Sequence, residues 1–188
     1  MDSTPYLILL FLHLASLILG FGSVLTTDLY GLLWVWDRVR FRQVIRVSTV
    51  TEKFIWLGWF GLVATGIPML VIIGSISNLT MVKLFFVALV GVNGVVLHFL
   101  QQRVKVYKEG DDVPKIFLFR LILALNVSQL GWWGAVVIGF LNRQMEATID
   151  WPNNPWLVIG GILAGILVVA ASGEVLMRAK KSQPAHDK

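Results

Sequence analysis

The sequence predicts an all-α polytopic membrane bundle of five transmembrane helices, N-terminus outside and C-terminus inside. Three observations carry this. First, 56% of the 188 residues are apolar and only 14% are charged, which is not the balance of an ordinary soluble domain. Second, five stretches contain no Asp, Glu, Lys or Arg: Ser3–Thr27, Phe54–Val82, Leu84–Gln102, Leu121–Asn142 and Trp151–Gly173. Each exceeds the roughly 18 residues that a spanning helix needs. Third, the basic residues alternate between the ends of these runs. Arg38, Arg40, Arg42, Arg46 and Lys53 separate runs one and two. Arg103, Lys105, Lys108, Lys115 and Arg120 surround the connection between runs three and four, and Arg178, Lys180, Lys181 and Lys188 follow run five. Only Lys83 and Arg143 fall at the opposite ends, so the positive-inside rule sets the orientation.

Helix one starts near Pro5 or Tyr6, because Pro suits a first turn, and continues past Asp28 toward Trp34 and Trp36, an interfacial aromatic pair. The sequence MDSTPY has no Lys or Arg, so the first run reads as a retained span and not a cleaved signal peptide. Helix two covers about Phe54–Ile73 with a kink at Pro68. Gly74–Asn78 makes a short outer turn. Helix three occupies Met81–Val104, and Lys108–Pro114 is a loop of turn residues. Helix four runs to about Leu141, and Asp150–Trp156 is an outer turn with interfacial tryptophans. Helix five ends near Met177. Residues 1–181 read as one integral-membrane domain and Ser182–Lys188 as a polar, disordered tail.

The basic excess fits topology and anionic lipid headgroups, not nucleic acid. The chain has no cysteine, which excludes disulfides, thiolate metal sites, Fe–S clusters and haem attached through a Cys pair.

Small and polar residues recur at three- and four-residue steps, and such stripes mark where helices touch in lipid. They are His13, Ser16, Gly20, Ser23, Thr27 in helix one; Gly58, Gly61, Thr65, Pro68 in helix two; and Gly91, Gly94, His98 in helix three. Helix five carries Gly160, Ala164, Ala171 and Glu174, with Leu167 interposed, and helix four differs with Asn126, Gln129 and Trp133. These faces are expected to point into the bundle.

Ionisable groups within spans are costly, by roughly 2.5–3.5 kcal/mol on insertion scales, and so point to function. Two intramembrane histidines, His13 and His98, suit axial ligation of a haem b. Counted from the helix ends they lie roughly 10 Å apart in depth, so both reach one iron only with strong tilt. Otherwise each serves a separate purpose, or one ligates alone. A hydrogen bond to a neighbouring helix is the structural alternative for His13. A second constellation is an inner polar cluster of Asp28, His98 and Glu174, with Arg120 near the same level and Asn126 and Gln129 between it and the outer Lys83 and His13. That outlines a proton, cation or solute path. No phosphate loop, nucleophile elbow or paired metal-binding histidines occur in the sequence.

The residues Leu12-His13-Leu14, Thr65-Gly66, and Lys83 with His98 resemble small polytopic bacterial membrane proteins. In outline these are the HemJ-type protoporphyrinogen oxidases and CopD-type copper-resistance proteins. With Asn93-Gly94, Ser128 and Trp132-Trp133-Gly134, the chain is similar to an uncharacterised bacterial family within or near that set. The Lys83-to-His98 interval is about one helical turn longer than in the HemJ type. Phe119-Arg120 leads into Leu-Ile-Leu, where that type has an Arg-Phe-Asn-Glu-like entry. The resemblance implies a multi-pass protein of the bacterial inner (cytoplasmic) membrane with haem b bound through His13, His98 and Lys83. His13 and His98 would be the iron ligands, with Lys83 near a propionate or the headgroups. A redox or electron-transfer role follows, with a quinone or membrane electron-transfer partner and room for oligomerisation. The alternative is a non-enzymatic channel, carrier or accessory subunit built on Asp28, Asn126, Gln129 and Glu174.

Overall fold

In the computed structural model, which describes residues 4–104, 106–107, 114–145 and 152–181, the protein is all-helical. The helices are α1 (Thr4–Val35), α2 (Phe41–Ile73), α3 (Asn78–Val104), α4 (Lys115–Met145) and α5 (Pro155–Lys181). All five are long and apolar enough to cross a membrane. The expected tail at 182–188 lies outside the described residues, as do most of the 108–114 loop and the start of the 150–156 turn.

The helix count and order match the five apolar runs, but α2 begins thirteen residues earlier than Phe54. Hydropathy locates only the lipid-compatible part of a helix. Residues 41–53 interleave apolar side chains with polar and charged ones and extend the same helix beyond it, as an amphipathic helix does. At its start the Arg40 N–H donates to Gln43 Oε1. At its end Gly74 adopts φ 71° and donates its N–H to Leu70 O, a left-handed C-terminal turn that glycine adopts without Cβ strain. Pro68 sits within the helix.

The chain forms two compact units, one of α1 and α2 and one of α3, α4 and α5. In the first, the small-residue stripes of α1 and α2 face each other. A Cβ on Gly58 would lie 2.5 Å from the Gly20 Cα and N and 2.7 Å from Ser16 O. Main chain therefore meets main chain there, and only a hydrogen fits. Gly61 receives the Ser16 side chain in the same way. Toward the α1–α2 turn the hydroxyls of Thr27 and Thr51 come within 2.6 Å. Each hydroxyl also lies within hydrogen-bonding distance of the carbonyl four residues back, Ser23 O for Thr27 and Val47 O for Thr51; with one hydrogen apiece, one threonine donates to its own carbonyl and the other donates across to it.

In the second unit Leu79, Val82, Phe86 and Ile138 form a core that Ala135, Val158 and Ile162 close. Here the accommodating glycines belong to α4. A Cβ on Gly131 would strike Val90 and one on Gly134 would strike the Phe86 ring, each at 2.6 Å. Asn93 is buried and donates from Nδ2 to Ala124 O at 2.8 Å. α5 is attached at both ends: Asn78 Nδ2 donates to Pro152 O just before it, and the Phe119 ring covers Gly173 near its far end. Of the expected inward stripe of α5 only Glu174 meets α4, through Arg120, and its small residues are turned away. Gly160, Ala164 and Ala171 are exposed, and nothing lies within 4 Å of a Cβ on Gly160. The packed face is Val158, Ile162 and Gly173, because α5 docks through branched side chains and one aromatic ring and not through its small residues.

Candidate functional site

His13 lies on the packed face of α1 and is half-buried. Its Nδ1 is 2.8 Å from Thr65 Oγ1 on α2. The Thr65 hydroxyl also lies 2.6 Å from Gly61 O. Across the His13 contact either group can donate, Nδ1 in one tautomer of the ring and the Thr65 hydroxyl in the other. Gly66 sits beneath the imidazole, where a Cβ would be 3.4 Å from Cε1. The helical spacing explains the assembly. Thr65 and Gly61 are one turn apart on the α2 face that approaches α1, and the close Gly20–Gly58 crossing two turns away brings the helices near enough for a short side-chain bond. The interhelical hydrogen bond considered for His13 is therefore present, on one nitrogen.

The contact anchors one ring nitrogen of His13 to α2 and so fixes the orientation of the imidazole. The sequence alone placed Thr65 on the right stripe but not its hydroxyl against His13. The signal available was the match of two stripes, His13/Ser16/Gly20 and Gly58/Gly61/Thr65, in antiparallel order.

The other candidates are distributed between the two units. His98 is half-buried on the flank of α3, beside Phe99 with ring centroids 5.8 Å apart. Among the described residues each unit holds one histidine, so neither unit by itself contains a bis-histidine pair. Lys83, half-buried on α3, lies over α4: a Cβ on Gly139 would be 3.5 Å from its Cε and Nζ. Asp28 is half-buried on α1, next to Thr27. Asn126 is exposed and donates to Ile122 O of its own helix, and Gln129 is half-buried one turn further on. Glu174 is clasped by two arginines. Arg120 Nε approaches Oε1 at 2.5 Å, and Arg178 Nη2 approaches Oε2 at 3.0 Å. Arg120 and Glu174 adjoin Phe119 and Gly173 in sequence, so an ion pair and a ring contact lock α4 to α5 at one level. No group of three or more His, Cys, Asp or Glu able to hold a metal ion occurs among the described residues.

No family model matches the chain. No curated protein and no solved structure matches it either.

Proposed function

We propose that the protein is a multi-pass inner-membrane protein, N-terminus outside and C-terminus inside, that holds haem b on His13 and serves in membrane electron transfer. The observation that supports this is the anchored ring of His13: its Nδ1 lies 2.8 Å from Thr65 Oγ1 and Gly66 faces its Cε1, so α2 fixes the orientation of an intramembrane imidazole. When bound, haem b supplies one-electron chemistry. The chain's own residues position it. Thr65 holds the orientation of the ring, Gly66 leaves room beneath it, and the Gly20–Gly58 crossing keeps α1 and α2 at hydrogen-bonding distance. In this reading His98 is the second ligand or serves apart from the haem, Lys83 pairs with a propionate or a headgroup, and the electron partner is a quinone or a membrane protein.

The experiment is spectroscopic. Protein purified from cells supplied with haem should show a Soret band, lost in His13→Ala and shifted in Thr65→Val. His98→Ala decides the second ligand: a change of spin state assigns it to His98, and an unchanged spectrum removes His98 from the site. A colourless, folded wild type refutes the haem reading.

A second reading, a non-enzymatic accessory subunit, carrier or channel, is favoured by Glu174. Two arginines neutralise this carboxylate, which suits a structural clasp between helices. Full stability and insertion without any bound chromophore would support it.

A further inference from the structure

The turn between α1 and α2 carries a surface that the histidine site does not use. The charge-free part of α1 ends at Thr27 and that of α2 begins at Phe54, and the Thr27–Thr51 contact puts those two limits at one level. Both helices continue beyond it. The segments 28–35 and 41–51 extend the hairpin by about 12–15 Å at 1.5 Å per residue. Lengths agree: α1 has 32 residues and α2 has 33, about 48–50 Å each, against a hydrocarbon core of about 30 Å.

The extension is not built for open water. At its tip Val35 is 67% and Trp36 60% exposed. Trp34 packs on Phe41 with ring centroids 5.5 Å apart, which closes the turn and holds the tip in shape. Arg38, Arg40, Arg42 and Arg46 surround these residues, all exposed. Asp37 is the one acid between residues 29 and 51. Arg42 and Arg46 stand one turn apart on one helix face, a like-charge pair that disfavours the helix unless an anion lies between them. Exposed tryptophan beside a cluster of arginines is the chemistry of the headgroup layer, where an indole sits half in hydrocarbon and a guanidinium forks onto phosphate oxygens.

We propose that the α1–α2 turn, through Arg38, Arg40, Arg42, Arg46 and Trp36, is a binding surface for anionic phospholipid headgroups on the side of the membrane where it emerges. The arginines engage the phosphate diesters and Trp36 anchors the tip among the upper acyl carbons. The surface requires neither haem nor either histidine.

The test uses the full-length protein in detergent, titrated with phosphatidylglycerol and, separately, phosphatidylcholine, with bound lipid counted by native mass spectrometry. Phosphatidylglycerol should bind preferentially, and 1 M salt should abolish the preference in the wild type, since screening at that strength reaches about 3 Å. Affinity should fall roughly fivefold for each arginine replaced by glutamine. Arg38→Gln/Arg40→Gln is the main variant, because it leaves α2 intact. The fourfold variant follows if it remains monodisperse and helical. Trp36→Ala should weaken binding without changing salt dependence. Equal binding of the two lipids, or retention of the preference in Arg38→Gln/Arg40→Gln, overturns the proposal. Equal occupancy by polyglutamate at matched charge would assign the surface to an acidic polypeptide and overturn it as well.

Discussion

Gly58→Ala is the smallest change with a large expected effect, because it adds one methyl group where main chain meets main chain. The new Cβ would sit 2.5 Å from Gly20 Cα and 2.7 Å from Ser16 O. Non-bonded carbons settle at about 3.5–4.0 Å, so α1 and α2 must separate by about 1 Å at the crossing. Neither neighbour is the end of a flexible side chain, and rotamer adjustment cannot relieve the clash. A gap of that size forfeits about a quarter to a half of each atom-pair attraction, each about 0.1–0.2 kcal/mol, along the crossing. Over a few dozen pairs this amounts to about 1–3 kcal/mol, the range seen for overpacked cores. Separation also stretches the 2.8 Å His13–Thr65 contact two turns away, so the histidine ring should be held less firmly. The assay is unfolding of the full chain in mixed micelles with increasing denaturing detergent. Gly22→Ala is the control, since nothing lies within 4 Å of a Cβ there, and it should be neutral or gain up to about 1 kcal/mol from helix propensity. If Gly58→Ala is as stable as Gly22→Ala, the close crossing is wrong.

Three further outcomes are expected. Asn93→Ala should cost about 1 kcal/mol in the same assay, by removing a buried donor from Ala124 O, and Asn93→Leu should cost more by also crowding α4. Gly173→Leu should release α5 from the Phe119 ring, read as faster proteolysis of the C-terminal helix at unchanged membrane insertion, whereas Gly161→Leu, with nothing within 4 Å of its Cβ, should leave proteolysis unchanged. A reporter enzyme fused after Lys188 should be active only on the cytoplasmic side, and activity outside would reverse the proposed orientation.

The five helices were legible because lipid imposes a coarse rule that the sequence must obey: runs without charge, each long enough to span. The paired stripes of α1 and α2 were legible for a related reason, since small residues at helical spacing permit close backbone contact and have few other uses in a span. That logic reaches only as far as naming a face. It did not reveal that Gly131 and Gly134 of α4 receive Val90 and Phe86, because α4 also displays Asn126, Gln129 and Trp133, and periodicity weighs both faces alike. It pointed the small stripe of α5 inward, where the packed face is instead Val158, Ile162 and Gly173. It began α2 at Phe54, because an amphipathic extension has no hydropathy signal of its own. The sequence by itself determined which five segments can span as helices and which residues are too costly to lie in lipid without a partner. Who partners whom was decided only in the tertiary structure: His13 with Thr65, Arg120 with Glu174, Asn93 with Ala124. A hydrogen bond depends on ångström-scale approach and rotation of two helices, and those follow from the summed packing of many side chains that no single residue's spacing encodes.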